Sequence, residues 1–286
     1  MRLLAFCKVN LDLRILGLRA DGYHELRTVL QTIDWADEIQ IEPSAEFAFV
    51  ALGAPAGEEN LVVRAVRAFE AITGEAARVR INLTKRVPLG AGLGGGSADA
   101  AVTLMGLQRL LNRPIPQADA LAALSKIGSD VPFFLSGGRA LGVGRGDQIV
   151  PLEDGAPSAL VVVVPGIQIN TREAYSWLTE AAKTPTINGF CAQSVSARWE
   201  DDPRNDFEGV VFAGHPVLTD IKEEFLKAGA KRAALSGSGS AVFGVFGSEE
   251  EAARALPGLS GYGTAKMVRP LTRAEYQRRI WGVAKW

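Results

Sequence analysis

The chain has 286 residues, 47% hydrophobic and 22% charged, with a formal net charge of −1. That composition supports a sizeable core and excludes a disordered chain, and the near-neutral balance excludes a global field drawing it to nucleic acid or an anionic membrane. Two cysteines, Cys7 and Cys191, exclude a disulfide framework and a four-cysteine zinc site, and two histidines, His24 and His215, argue against a His-rich metal centre.

The length suits two lobes, and a soft boundary at residues 155–157 divides the chain into 1–155 and 156–286. The longest apolar run, 160–164 with its neighbours, falls far short of the ~20 residues that span a bilayer. Residues 1–7 lack a long apolar stretch and a cleavage site, so cytoplasm is the expected compartment.

In chain order, strand-like alternation covers 9–16, 26–33 and 38–41, bounded by turn residues such as Asp21 and Gly22. Asn60 opens a helix running to Ile72, with Leu61, Ala65, Ala68 and Ile72 on one face, and 79–83 reads as a strand. After Pro88 and a glycine cluster, the pattern predicts a helix opening at Ser97. Its stripe is Ala100, Leu104, Leu107 and Leu111, and residues 112–116 stop it. A further helix is predicted at 118–127 and a continuous apolar strand at 159–164. Helices at 172–182, 217–228 and 249–256 and a strand, glycine loop and strand over 232–246 complete the chain. Strands interleaved with helices, without regular βαβ repetition, indicate an α+β architecture.

The segment Pro88, Leu89, Gly90, Ala91, Gly92, Leu93, Gly94, Gly95, Gly96, Ser97, Ala98 joins a strand to a helix. Five glycines in seven positions permit positive φ and let backbone N–H groups approach a ligand. The helix mouth behind them adds free donors and the positive end of its dipole, a setting suited to phosphate. Ser97 is placed to cap the helix, to meet a phosphate oxygen or to help hold a metal ion. No Gly-Lys-Ser/Thr closes the loop, so it is not a P-loop. A dinucleotide fingerprint would need a following strand and an acid about twenty residues on, and 109–116 supplies neither.

Three further segments occur with this loop: Cys7-Lys-Val-Asn10, Gly128-Ser-Asp130-Val-Pro, and Leu235-Ser-Gly-Ser-Gly-Ser240. Together, in this order, they resemble the GHMP kinase superfamily. The Arg19-Ala-Asp-Gly-Tyr-His24 element, Glu59-Asn-Leu61 and Asn205-Asp206 bring the likeness closer to the branch that phosphorylates a cytidine-diphosphate-linked polyol in non-mevalonate isoprenoid synthesis. The resemblance implies a two-lobed fold, the first lobe like ribosomal protein S5 domain 2 and the second ferredoxin-like. It also implies ATP with Mg2+, a small-molecule partner carrying a cytidine diphosphate group, no nucleic-acid or membrane partner, and a monomer or homodimer.

Phosphoryl transfer needs positioning, charge stabilisation and a carboxylate to receive the acceptor proton. Asp130 alone reads as an N-cap or turn residue, but by resemblance it is the base, with Lys8 beside it. Asn10 is then expected near the reacting groups, and Tyr23 and His24 at the cytidine end. Tyr175 is the expected second stacking ring. Asn60, Leu61 and Lys85 border the adenosine pocket, and Gly237, Ser238 and Gly239 close the site. Cys7 stands where a small residue is usual before the lysine, which suggests steric inhibition by thiol reagents. The rival readings are another GHMP kinase (for mevalonate, homoserine or a sugar), a dinucleotide oxidoreductase, and a non-enzymatic RNA-binding module. The absence of clustered Lys and Arg disfavours the last.

Overall fold

Two long strands organise the chain. A computed structural model describes residues 1–155, 159–178 and 203–282. In it β1 (Arg2–Leu18) and β2 (His24–Pro43) pair antiparallel, with register shifts between Phe6 and Lys8, Asn10 and Asp12, and Ile15 and Gly17. The expected strand at 9–16 is part of β1, and those at 26–33 and 38–41 are one strand. Irregular pairing of this kind bends a strand and re-aims its side chains, and it recurs beside active sites.

The first sheet has the order β3 (Ala48–Leu52), β4 (Val79–Thr84), β2, β5 (Arg139–Gly144), β6 (Gln148–Pro151), with β1 also on β2. Strands β3 and β4 are parallel because α1 (Leu61–Thr73) crosses over between them. Asn60 caps α1 by accepting from the Val62 amide at 2.9 Å, and Gly74 ends it at φ +71°. Helices α1, α2 (Gly95–Leu110) and α3 (Gln117–Ile127) bury Phe69, Leu104 and Leu124 against Leu3, Ile39 and Ile81 of the sheet.

The second sheet has the order β10 (Thr264–Val268), β7 (Ala159–Val164), β9 (Val242–Phe246), β8 (Arg232–Leu235), antiparallel throughout. All six residues of β7 are buried because both its faces are covered. Val161 and Val163 pack toward Ile221 of α6 (Pro216–Lys227) and Ala252 of α7 (Glu249–Leu259). Leu160 and Val162 face the other way and join Val9, Val29 and Ile33 of the first sheet. This two-residue alternation fastens the sheets together.

Helices α4 (Thr171–Trp177), α5 (Glu208–Gly214) and α8 (Arg273–Arg279) complete the described α-helices. Helix α8 returns to the first sheet, where the Leu4 amide donates to Ile280 O at 2.9 Å and Tyr276 donates to Phe134 O at 2.5 Å. Helix α2 begins at Gly95, two residues before the expected Ser97, because glycine itself forms the cap. Of the helix expected at 172–182, the described part ends at Trp177, and residues 179–182 lie outside the described residues.

Candidate active site

The glycine loop, the end of α3 and the second lobe enclose a cleft of about 500 Å³. Its floor comes from β1, which contributes Lys8, Asn10 and Leu13. Lys8 is only 2% exposed. Its ammonium donates to Asn10 Oδ1 at 2.6 Å and to Gly92 O at 2.9 Å, and lies 3.2 Å from Asp130 Oδ2. Asn10 in turn donates to Thr28 Oγ1 at 2.8 Å, and Thr28 donates to Asp12 O at 2.7 Å. The lysine is therefore aimed by a buried polar relay. Asp130 sits in the turn after α3, half-exposed to the cleft.

Residues Pro88 to Ser97 all line the cleft, as do Leu61 and Lys85. Gly90, Gly92 and Gly94 have φ of +65°, +74° and +68°. That alternation turns successive amides inward, and Gly94 caps α2 with no side chain to occupy the helix mouth. With no acidic residue in the first turn of α2, the dipole there is free to meet an anion. Ser97 is the third helical residue, not the cap. Ala98 is buried behind the loop, and Asn60 is engaged in capping α1.

The Ser236–Ser240 loop meets the glycine loop backbone to backbone. Ser236 Oγ donates to Gly92 O at 3.0 Å, and the Ala241 amide donates to Ala91 O at 3.0 Å. Asn205 holds this second loop by donating to Leu235 O at 2.9 Å and Gly237 O at 2.8 Å. Gly237 and Ser238 line the cleft, and Ser238 Oγ lies 3.0 Å from Thr171 Oγ1. Gly239 points away, toward Leu235 and Ile169.

At the far end Tyr175 lines the cleft, edge-on to Phe207 at 4.8 Å and stacked on His24 at 4.8 Å and 24°. Burial, reinforced by nearby Asp130, pushes the Tyr175 phenol above its usual range, while partial burial holds the His24 imidazole below its ordinary value. Tyr23 is 53% exposed on the hairpin tip, with the Arg145 guanidinium 4.9 Å from its ring centre. The structure thus brings together Lys8, Asn10, Asp130, the glycine loop and Tyr175, with Tyr23 and His24 at the rim.

Sequence reasoning missed Thr28, Arg145, Thr171 and Phe207 in the lining. Arg145 had a local signal: it stands between Gly144 and Gly146, whose φ of +70° and +92° make the turn from β5 to β6.

Among the described residues no three His, Cys, Asp or Glu side chains gather as a metal cage. A cation carried by a polyphosphate has no need of one, because Mg2+ keeps several waters and takes one or two protein oxygens besides the phosphates. The Ser97 hydroxyl and the Asp130 carboxylate are oxygen donors of that kind in the lining. No described helix is long and apolar enough to cross a membrane.

Comparison with known proteins agrees with this geometry. The GHMP kinases N terminal domain matches residues 60–138 and the GHMP kinases C terminal domain residues 192–264. A 4-diphosphocytidyl-2-C-methyl-D-erythritol kinase from Solibacter usitatus is 42% identical, over 97% of this chain and 90% of the relative. Another from Prosthecochloris aestuarii is 39% identical, over 90% and 92%. The crystal structure of a 4-(cytidine 5'-diphospho)-2C-methyl-D-erythritol kinase superposes with a TM-score of 0.80 at 36% identity, covering 94% of this chain and 99% of that one. A homoserine kinase from Cytophaga hutchinsonii, 19% identical with a TM-score of 0.69 over 93% and 94% of the two chains, shares the fold.

Proposed function

The chain belongs to the GHMP kinases, among the 4-diphosphocytidyl-2-C-methyl-D-erythritol kinases, and on that premise we propose that it phosphorylates the 2-hydroxyl of 4-diphosphocytidyl-2-C-methyl-D-erythritol with ATP, in non-mevalonate isoprenoid precursor synthesis. The observation that carries the reading is the Lys8 ammonium, 3.2 Å from Asp130 Oδ2 and 2.9 Å from Gly92 O. One cation touches both the candidate base and the loop that would hold the phosphates.

In this reading the triphosphate lies along the inward amides of 90–96 and the mouth of α2. Asp130 accepts the proton of the 2-hydroxyl as its oxygen attacks the γ-phosphorus. The bond from that phosphorus to the β,γ-bridging oxygen breaks, giving the 2-phosphate and ADP. Lys8 stabilises the charge gathering on the transferred group, and Asn10 keeps Lys8 aimed. Mg2+, held by the phosphates and the Ser97 hydroxyl, would supply further charge neutralisation. Leu61 borders the adenosine, and the cytidine end lies toward Tyr175, with Tyr23, His24 and Arg145 at the rim. Gly237 and Ser238 close the acceptor side. Residues 1–155 form the nucleotide lobe and 156–286 the closing lobe, with 270–282 returning to the first sheet.

The same reading assigns the work to the cytoplasm on a diffusible substrate, and the net charge of −1 supports it by giving nucleic acid no hold. Coupled ADP release with the cytidyl polyol tests it. The acceptor should be required, and free polyol, mevalonate and homoserine should be poor substitutes. Asp130→Asn should lower kcat by ~10²–10⁴-fold, the usual range for a lost general base. Near-wild-type turnover in that variant removes Asp130 from the mechanism.

A further inference from the structure

Beneath the glycine loop lies an ion cluster that the transfer chemistry does not use. Lys85, at the exit of β4, donates to Asp99 Oδ2 at 2.7 Å and also to Asp37 Oδ2. Asp37, fully buried on β2, accepts at its other oxygen from the Arg86 amide at 2.5 Å and the Val87 amide at 2.8 Å. Asp99 belongs to the second turn of α2 and is 2% exposed, its second oxygen having no hydrogen-bond partner. A Cβ placed on Gly95 would stand 3.2 Å from Lys85 Nζ and 3.3 Å from Asp37 Oδ2. The ammonium is thus wedged under the first residue of the phosphate-loop helix.

The cluster joins the two ends of the loop. Residues 85–87 lead into it, residues 95–99 lead out, and one lysine bonded to two carboxylates fixes both to β2. Stability alone does not explain this choice. A buried carboxylate oxygen without a partner is destabilising, and apolar residues of similar volume commonly replace a buried ion cluster without loss. Two of the lysine's three N–H donors are already taken, which leaves it poorly placed to grip a nucleoside.

We propose that Lys85, Asp37 and Asp99 form a positioning clamp that sets the width of the polyphosphate loop, with Lys85 acting through the loop and not by contact with the nucleoside. This rests on the phosphotransferase reading only in taking the loop's ligand to be a nucleotide polyphosphate. It separates Lys85 from Leu61 as a border of the adenosine pocket.

The test is calorimetric titration of the full chain with ATP and, separately, with adenosine, for wild type, Lys85→Arg and Lys85→Met/Asp99→Leu. Arginine keeps the charge, but its planar fork does not fit between two carboxylates under Gly95. The double variant removes the lysine together with the carboxylate that has the unpartnered oxygen. Both variants should bind ATP at least about tenfold more weakly, while adenosine affinity changes by less than about threefold. Equal weakening toward ATP and adenosine would assign Lys85 to the nucleoside, and unchanged ATP affinity in a folded variant would show the cluster to be structural only. Either result overturns the clamp. If one variant fails to fold, the other is read alone. Should neither fold, amide exchange in Asp99→Asn decides, with faster exchange confined to 88–96 supporting the clamp and uniform exchange overturning it. The acceptor reading fails separately, if wild-type chain binds ATP but does not phosphorylate the cytidyl polyol.

Discussion

Replacing single loop glycines by alanine should have effects that differ sharply over a few residues. Gly92 has φ of +74°, and an added Cβ would lie 2.0 Å from Ser236 O and 3.0 Å from Gly239 O. The first contact is about 1.4 Å closer than an ordinary carbon–oxygen approach, and backbone lies on both sides, so the two loops must part. Parting them breaks the bonds from Ser236 Oγ to Gly92 O and from the Ala241 amide to Ala91 O. Left-handed strain of about 1–2 kcal/mol and two hydrogen bonds of about 1 kcal/mol each give a loss of roughly 3–4 kcal/mol for Gly92→Ala. At 286 residues that lowers Tm by roughly 5–7 °C.

Gly90 has the same handedness, φ +65°, but nothing within 4 Å of its Cβ position, so Gly90→Ala should lose only the strain of about 1–2 kcal/mol. Gly96 lies in the first turn of α2 with its nearest neighbour, Leu61 Cδ1, at 3.7 Å. Alanine there should be neutral or stabilising by up to about 0.5 kcal/mol. Thermal unfolding of the three variants tests the series, and coupled ADP release should show Gly92→Ala the most impaired. If Gly92→Ala melts within about 2 °C of Gly96→Ala, the interlock of the two loops is refuted.

Two further outcomes follow from burial. The His24 imidazole is held below its ordinary 6.5 by burial, so its neutral form is the folded one. A depressed pKa gives a contribution that is complete above 6.5 and lost as pH falls through the lower folded value. The KM for the cytidyl substrate should therefore be flat above neutrality and rise on acidification, while the KM for ATP stays level. A His24→Gln variant that keeps the same acid limb would exclude this histidine as its source. Cys7 is fully buried, with its thiol pushed up chiefly by that burial, so it should resist iodoacetamide in the native protein and react after denaturation. Peptide mass spectrometry reads this residue apart from Cys191. Native labelling with loss of activity would restore the steric inhibition that the sequence suggests.

The parts of the fold legible in the sequence are those whose stability is local. Asn60 before an apolar stripe predicts α1, and the unbroken Ala159–Val164 run predicts β7 to the residue. Short strands such as β6 and β10 have mixed residues and exist through their pairing, which a one-dimensional pattern does not carry. The long β2 reads as two pieces because Asp34 and Asp37 interrupt it. Asp37 is tolerated only because the Arg86 and Val87 amides and Lys85 satisfy it from the other side of the loop. Helix α8 is a different omission. Its capping box, Thr272 with Glu275, is plain in the sequence and forms in the structure.

For the site, the glycine loop is readable as a phosphate cradle from residue types alone, because its chemistry is backbone chemistry. The meeting of Lys8 with Asp130 is not, since it depends on β1 and the turn after α3 being packed together, and only the family likeness points to it. Thr28 had no signal as a site residue, and Asn205 stood out only through the family likeness. Their roles are to aim Lys8 and to hold the second glycine loop, and both depend on neighbours far away in the chain.

The structure joins these parts through one carbonyl. Gly92 O accepts from Lys8 Nζ and from Ser236 Oγ, so the cradle, the catalytic candidate and the acceptor-side loop share an atom. Two of the lysine's three N–H donors are taken by Asn10 Oδ1 and Gly92 O, and the ammonium is ion-paired with Asp130 Oδ2 at 3.2 Å. Two hydrogen bonds and an ion pair hold this ammonium in place, so its charge is positioned before any substrate arrives. Preorganisation of that kind lowers a barrier because nothing reorients at the moment of transfer. It also makes the site brittle. A displacement of the cradle reaches Lys8 through Gly92 O, which is why a methyl group on Gly92 should cost far more than one on Gly90 or Gly96.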